Sequence, residues 1–162
     1  IGGEGVDKRI DVIATARHFC GTVADLAGLD LAYAPPFGSA KDPVHMAAFA
    51  ACNQIDGLTE FIEPDADLTG VPQFVDVRTT QEVAEQPFTG VDRGINIPLD
   101  ELRDRVGELD PTAETVVSCR TGVRSHVALR MLRQLGFAKV AAVSGGVMIR
   151  QRAWRNDSPA KP

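Results

Sequence analysis

Seven consecutive residues of this 162-residue chain have the types and spacing to do chemistry: Cys119-Arg120-Thr121-Gly122-Val123-Arg124-Ser125. They lie between a short apolar run, Thr115-Val116-Val117-Ser118, and a segment with helical periodicity from Ser125 to Leu135. The thiol is therefore expected at the end of a buried strand, with the following loop leading into a helix N-terminus. Such a loop aims several backbone N–H groups at one point, and the helix end adds partial positive charge. Arg120 and Arg124 add full charges. A cysteine placed there is expected to have a depressed pKa and to act as a thiolate nucleophile near neutral pH. A lone cysteine after a strand is more often an inert core thiol. Here nucleophile, flexible loop, cations and helix start occur together.

The elements that must position this loop alternate between strand and helix, which points to an α/β layer fold. Phe74 to Val77 reads as a short buried strand, and Thr80-Gln81-Glu82-Val83 as a capped helix start. Leu99, Leu102, Val106 and Leu109 line one face of an expected helix, with Asp100 near its start and Asp110-Pro111 ending it. Val116-Val117 is the expected central strand. On the next helix Val127, Ala128, Met131, Leu132 and Leu135 form an apolar stripe, expected to be core, with Gly136 as its stop. Lys139 to Val143 reads as the last strand, before Gly145-Gly146.

The string Cys119 to Ser125 resembles the active-site loop of rhodanese (sulfurtransferase) domains, whose pattern is Cys-x-x-Gly-x-Arg-Ser. The resemblance runs over about residues 68 to 156. Phe74-Val75-Asp76-Val77-Arg78 is similar to that family's first core strand, and Gly94-Ile95-Asn96-Ile97-Pro98-Leu99 to its Gly-Ala-Ile-Asn-Ile-Pro segment. Val143-Ser144-Gly145-Gly146, followed by Trp154, is similar to its C-terminal Gly-Gly…Trp element. The resemblance implies a rhodanese-like domain with a central, mainly parallel sheet flanked by helices. Four residues separate Cys119 from Arg124, whereas tyrosine-type and cell-cycle phosphatases need five. The tighter loop suits one extra sulfur atom better than a phosphate, and Ser125, at the wider spacing, cannot clamp an anion as arginine does.

The expected chemistry is attack of the Cys119 thiolate on a sulfane sulfur donor, thiosulfate or a persulfide, to give Cys119–S–S⁻. The amides of Arg120, Thr121, Gly122, Val123, Arg124 and Ser125 would stabilise that anion, and a thiol acceptor would then take the sulfur. Arg120 and Arg124 would orient an anionic donor or acceptor; the alternative for Arg124 is to brace the loop against an acidic residue. Asp76 and Arg78 either support the loop or form a strand-end ion pair. Ser125 is read as a helix cap, and His126 as a solvated helix residue rather than a general base. The family's Gly-His-Ile-Pro-Gly-Ala stretch is replaced here by Gln86 to Gly94, which has no histidine, so one wall of the site is altered.

The bulk properties exclude other classes. A net charge of −5 without a basic stripe argues against nucleic-acid binding. No apolar run approaches the roughly 20 residues of a membrane span. Cys20, Cys52 and Cys119 form no metal or disulfide spacing, and His18, His45 and His126 are scattered, so no metal site and a reducing, cytoplasmic setting are expected. Cys20 and Cys52, on alanine-rich helix faces, are expected to be core thiols.

Ahead of the α/β region, a helix is expected from Asp7 to Phe19, with Asp7 as N-cap, and a short helix capped by Thr22. A strand is expected over Leu29 to Ala34, stopped by Pro35-Pro36. A helix opened by Asp42-Pro43 should run to about Asn53. The residues Gly5 to Val12 and Tyr33 to Pro43 resemble the C-terminal part of the dimerisation domain in flavin-dependent pyridine nucleotide-disulfide reductases, in the coenzyme A-disulfide reductase and NADH oxidase branch. That resemblance implies an α+β fragment at 1–53 ahead of the rhodanese-like domain at 68–162; between them, Asp, Glu, Pro and Gly among apolar residues make 54–67 a linker or an approach strand (Phe61-Ile62). The start at Ile1-Gly2-Gly3 suggests a piece of a longer protein. The resemblance further implies FAD and NAD(P)H on segments upstream, a homodimer, Tyr33 reaching toward the partner's disulfide site, and coenzyme A persulfide among the substrates. The expected function is a sulfurtransferase module of such a reductase, and the alternative is a non-catalytic docking and dimerisation module.

Overall fold

The computed structural model describes residues 5–34, 36, 38–91 and 93–157, of which 154–157 without their side chains. It divides into two compact units, 1–58 and 59–162. In the first, three helices are formed, α1 (Val6–His18), α2 (Val23–Ala27) and α3 (Pro43–Ile55). Thr22 caps α2 through a reciprocal box with Asp25, and Asp42 caps α3, with Pro43 in its first turn. Asp7 is not the N-cap of α1: Gly5 holds that position with no side-chain bond, and Asp7 sits in the first turn, where its charge still complements the helix end. The strand expected over Leu29 to Ala34 does not form. An alternating segment becomes a strand only with a neighbour for its backbone N–H and C=O groups, and the described residues of this unit supply helices alone. Pro35 and Phe37 lie outside the described residues.

The second unit carries a five-stranded sheet of β1 (Phe61–Ile62), β2 (Gln73–Asp76), β3 (Gly94–Asn96), β4 (Thr115–Ser118) and β5 (Val140–Val143). Their spatial order is β1-β5-β4-β2-β3, and every pairing is parallel. Of the two readings of this stretch, linker or approach strand, the structure contains the strand: Phe61-Ile62 is the edge strand β1. Strands in such a sheet are buried on both faces, and β2, β4 and β5 are buried at every position. Alternate residues go to opposite sides. Val75, Val117 and Ala142 pack with Ala128, Leu129 and Leu132 of α5 (Val123–Gln134), while Phe74, Val116 and Val143 pack with Leu68 on the other face. α4 (Thr80–Glu85) follows β2, and α6 (Gly146–Asp157) follows β5. The side chain of Trp154, cited for the resemblance, lies outside the described residues, as does Asp92.

Two periodicity readings need correction. Residues 99–109 form successive turns and a short 3-10 segment, Val106–Glu108, not one helix. Leu102 and Leu109 are buried nonetheless, with Leu99 and Val106 packed against the same cluster. Apolar residues three and four apart satisfy a chain of tight turns as well as a helix, and Gly107 weakens helix continuation. On α5 the buried face is Ser125, Ala128, Leu129 and Leu132, whereas Val127 and Leu135 are exposed. The stripe is rotated from the expected one because Ser125, polar by type, is turned inward toward Cys119.

Candidate active site

Cys119 follows the C-terminal end of the central strand β4. Chain connections leave β2 toward β3 on one side and β4 toward β5 on the other, so the gap between the ends of β2 and β4 is the switch point where α/β sheets form binding crevices. Asp76 and Ser118 are register partners there. Gly122, the N-cap of α5, has φ 107°, a left-handed turn that suits glycine. This turn folds the loop back so that the Gly122 N–H donates to Cys119 Sγ at 3.1 Å. Ser125 Oγ lies 3.6 Å from Sγ, and its hydroxyl donates to Gly122 O at 2.9 Å. Ser125 is therefore not the helix cap expected of it but a buried hydroxyl beside the sulfur.

Burial of Cys119, at 1% exposure, acts to raise the thiol pKa. The Ser125 hydroxyl and the backbone N–H groups of Ser125, Gly122 and Thr121 act against it, and the balance falls below the ordinary thiol value. The loop carbonyls are fixed from the opposite side by the first turn of α6: Val147 N–H donates to Cys119 O at 2.9 Å and Met148 N–H to Arg120 O at 3.1 Å. Cys119, Thr121, Gly122 and Ser125 are thus brought together as the sequence suggested, while Arg120, Thr121 and Val123 form the exposed rim.

The two loop arginines differ. Arg120 is exposed, whereas Arg124 makes a bidentate pair with Glu82, Nη1 to Oε2 and Nη2 to Oε1, both at 2.7 Å. Glu82 also accepts from the Thr79 N–H at 3.0 Å, as the partner in the capping box of α4. Of the two roles offered for Arg124, bracing is the one the geometry contains. Asp76 and Arg78 are closed on each other in a buried pair of 2.6 Å, with Arg78 Nη1 donating to Gln86 O at 2.8 Å. They hold the β2 end and the altered 86–94 segment rather than the cysteine loop. His126 is half-buried, not solvated, with Nδ1 3.0 Å from Thr59 Oγ1; burial and Arg130 keep its pKa below the ordinary value. Cys20 is exposed in the turn after α1 and Cys52 is half-buried, so neither is a core thiol.

Sequence reasoning missed the role of Glu82, 42 residues from Arg124, although its capping-box spacing from Thr79 was a readable signal. It also missed Arg150, a buried guanidinium on α6 that donates to Pro64 O and Ala66 O and to Thr89 O, lying over the Phe88 ring. Nothing local to Arg150 announces this.

The Arg124 clamp gives a pH prediction. Its guanidinium holds the Glu82 carboxyl down to about 2 from an ordinary 4.5. A depressed carboxylate stabilises the fold above its unfolded value and loses that contribution as pH falls through the folded one. The stability advantage of the native chain over Glu82→Gln is therefore expected to be full above about 4.5 and to vanish towards about 2. Urea midpoints of both proteins across that range check it; a difference independent of pH would contradict it.

Residues 60–149 match the family described as Rhodanese-like domain. This chain belongs to the rhodanese-like family. A Bacillus subtilis (strain 168) protein provisionally named a sulfurtransferase, YtwF, is 33% identical over 104 residues, 64% of this chain and 89% of that protein. Among solved structures, Bacillus anthracis CoADR-RHD in its reduced form is 39% identical with a TM-score of 0.80, over 93% of this chain and 27% of its own. A NAD-dependent persulfide reductase from A. fulgidus is 41% identical with a TM-score of 0.76, over 90% and 26%. The rhodanese-like chain described here spans about a quarter of each of those two proteins. No helix among its described residues is long and apolar enough to cross a membrane.

Proposed function

We propose that this chain transfers sulfane sulfur through a persulfide on Cys119, and that it is the C-terminal module of a flavin- and NAD(P)H-dependent coenzyme A-disulfide or persulfide reductase. The observation that carries the first part is the set of backbone N–H groups of Thr121, Gly122 and Ser125 converging on Cys119 Sγ. They favour a thiolate, and the same donors would hold the terminal anion of Cys119–S–S⁻. The thiolate attacks the outer sulfur of the donor, the donor's leaving group departs with the bonding pair, and an acceptor thiolate later attacks the outer sulfur of Cys119–S–S⁻, restoring the thiolate. Because Cys119 is so well covered, a donor reaches it only with a slim end, such as a terminal sulfur atom, past the Arg120–Val123 rim.

The reductase context is supported by the likeness to CoADR-RHD and the persulfide reductase, which extends over more of the chain than residues 59–162. Exposed Ile10, Phe19, Met46 and Ile55 on the first unit suit a homodimer, and exposed Tyr33 is free to reach a partner's thiol site. In this reading FAD and NAD(P)H are held by other segments of such a reductase and not by the residues described above. No step here runs through them.

The coverage of Cys119 is the one observation that favours the second reading, a non-catalytic docking module. Incubation with thiosulfate or an organic persulfide, followed by intact-mass and peptide mass spectrometry, decides between them. Sulfur transfer requires a gain of about 32 Da, one sulfur atom, on the Cys119 peptide. Unchanged mass with every donor leaves docking.

A further inference from the structure

Around Cys119 the charges are mostly spoken for. Arg124 is matched by Glu82, and Asp76 and Arg78 match each other. Arg120, exposed on the rim, is the loop cation with no carboxylate partner among the described residues. Arg124 is in the first turn of α5, next to Ser125, whose Oγ lies 3.6 Å from Sγ, and after the Glu82 bond the charges of Cys119 and Asp76 also act on its guanidinium. The two helices that meet the loop also carry exposed apolar side chains. Val123 and Val127, one turn apart on α5, are 70% and 43% exposed. Met148 and Ile149 are exposed on the first turn of α6, the turn bonded to the loop carbonyls.

We propose that Glu82, by clamping Arg124, sets the charge selectivity of the Cys119 site, turning it away from compact dianions such as thiosulfate and towards sulfane sulfur on an uncharged, partly apolar stem, that is, an organic persulfide. The inference rests on the sulfur-transfer reading above. Thiosulfate brings two negative charges to a thiolate with one unmatched cation nearby. Its reaction is Cys119–S⁻ + S–SO₃²⁻ → Cys119–S–S⁻ + SO₃²⁻, in which the entering and leaving groups are both dianions. With an organic persulfide, Cys119–S⁻ attacks the outer sulfur of R–S–SH, the S–S bond breaks, and RS⁻ leaves. The proton of Cys119–S–SH then passes to RS⁻ or to solvent. No oxidant or reductant is consumed in either case. The stem R would stay outside the amide cradle, where Val123 on the loop and Met148, whose N–H is bonded to Arg120 O, are exposed apolar residues next to the site.

Glu82 is thus a positioning residue acting through Arg124, and the readout is a ratio that a mere brace leaves alone. Glutamine at 82 can still accept from the Thr79 N–H in the capping box but carries no charge. Rates of Cys119 persulfide formation would be followed by mass spectrometry in single turnover, with thiosulfate and with N-acetylcysteamine persulfide, whose stem is uncharged. In Glu82→Gln the thiosulfate rate is expected to rise about tenfold relative to the persulfide rate, the scale of one released, partly exposed charge near the reacting atom. Added salt should shrink the gain. The double variant Glu82→Gln, Arg124→Gln should lose it, as the cycle of single and double substitutions requires. A ratio that stays constant or falls, including one in which both rates drop together, overturns the proposal, as does a gain that survives loss of Arg124. Failure of the native chain to take sulfur from either donor sinks the sulfur-transfer reading itself, and this inference with it.

Discussion

Serine in place of Cys119 is expected to leave the second unit folded and to remove its capacity to acquire sulfur. The substitution exchanges one small, buried hydrogen-bonding side chain for another, and Gly122 N–H can donate to a hydroxyl oxygen as it does to Sγ. The alcohol is not ionised near neutral pH, so the amides that favour a thiolate have nothing to act on. Removal of a catalytic nucleophile commonly costs about 10⁴-fold or more in turnover. In the native chain the rate of sulfur uptake should rise with pH and level off below the ordinary thiol range, in keeping with the lowered Cys119 pKa. Mass spectrometry and an unchanged melting temperature check the serine variant together. Continued uptake by it would place the nucleophile elsewhere, on exposed Cys20 or half-buried Cys52.

Alanine at Gly146 is expected to damage the site almost as severely from a residue that touches no substrate. Gly146 has φ 57°, a left-handed conformation unfavourable for residues with a Cβ. A methyl there would overlap the Cys119 carbonyl oxygen and lie 2.9 Å from both the carbonyl carbon and the oxygen of Arg120. These are backbone atoms, so relief requires either the loop or the start of α6 to move. Either movement breaks the Val147 and Met148 N–H bonds that set the loop's peptide planes. A misplacement of about 1 Å at a reacting group can cost about 100-fold in rate, and that is the loss expected here, with stability lowered by about 1–2 kcal/mol from the backbone strain alone. The comparison with Gly145→Ala is informative. Its clash is with Ile149, whose Cβ would lie 2.7 Å from the added methyl and is fixed to the α6 backbone, so that variant strains the start of α6 without pressing on the loop carbonyls. Equal sulfur-uptake rates in the native chain and Gly146→Ala would show that α6 does not hold the loop.

The cysteine loop was legible because it is local. Seven adjacent residues hold the nucleophile, the left-handed glycine and the helix start, and a strand pattern before them fixes which way they face. The strands were legible for a similar reason: short runs such as Thr115–Ser118 are apolar on both sides because both faces of the sheet are covered. The partner of the Arg124 clamp was not, since Glu82 lies on a helix 42 residues earlier and only the pairing of β2 with β4 brings the two together. Residues 99–109 mislead because burial, which the apolar spacing does report, is shared by helices and tight turns. Leu29 to Ala34 misleads in the opposite direction: its alternation is real, but a strand is a property of two segments, and one segment's pattern cannot supply the other. Ser125 was misplaced because a serine near a helix start has two uses, to cap the helix or to face a buried group, and Gly122 already occupies the capping position.

The edge strand β1 has a consequence for how this module can be moved between proteins. Phe61 and Ile62 pair with Ala142 and Val143, the last strand in sequence, while Thr59 meets His126 and the carbonyls of Pro64 and Ala66 receive Arg150. The beginning of the unit is therefore stitched into its end. A transplant whose seam falls after Ile62 would strip one side of β5 bare and leave it as a template for joining other chains, so the natural graft point is at or before Thr59.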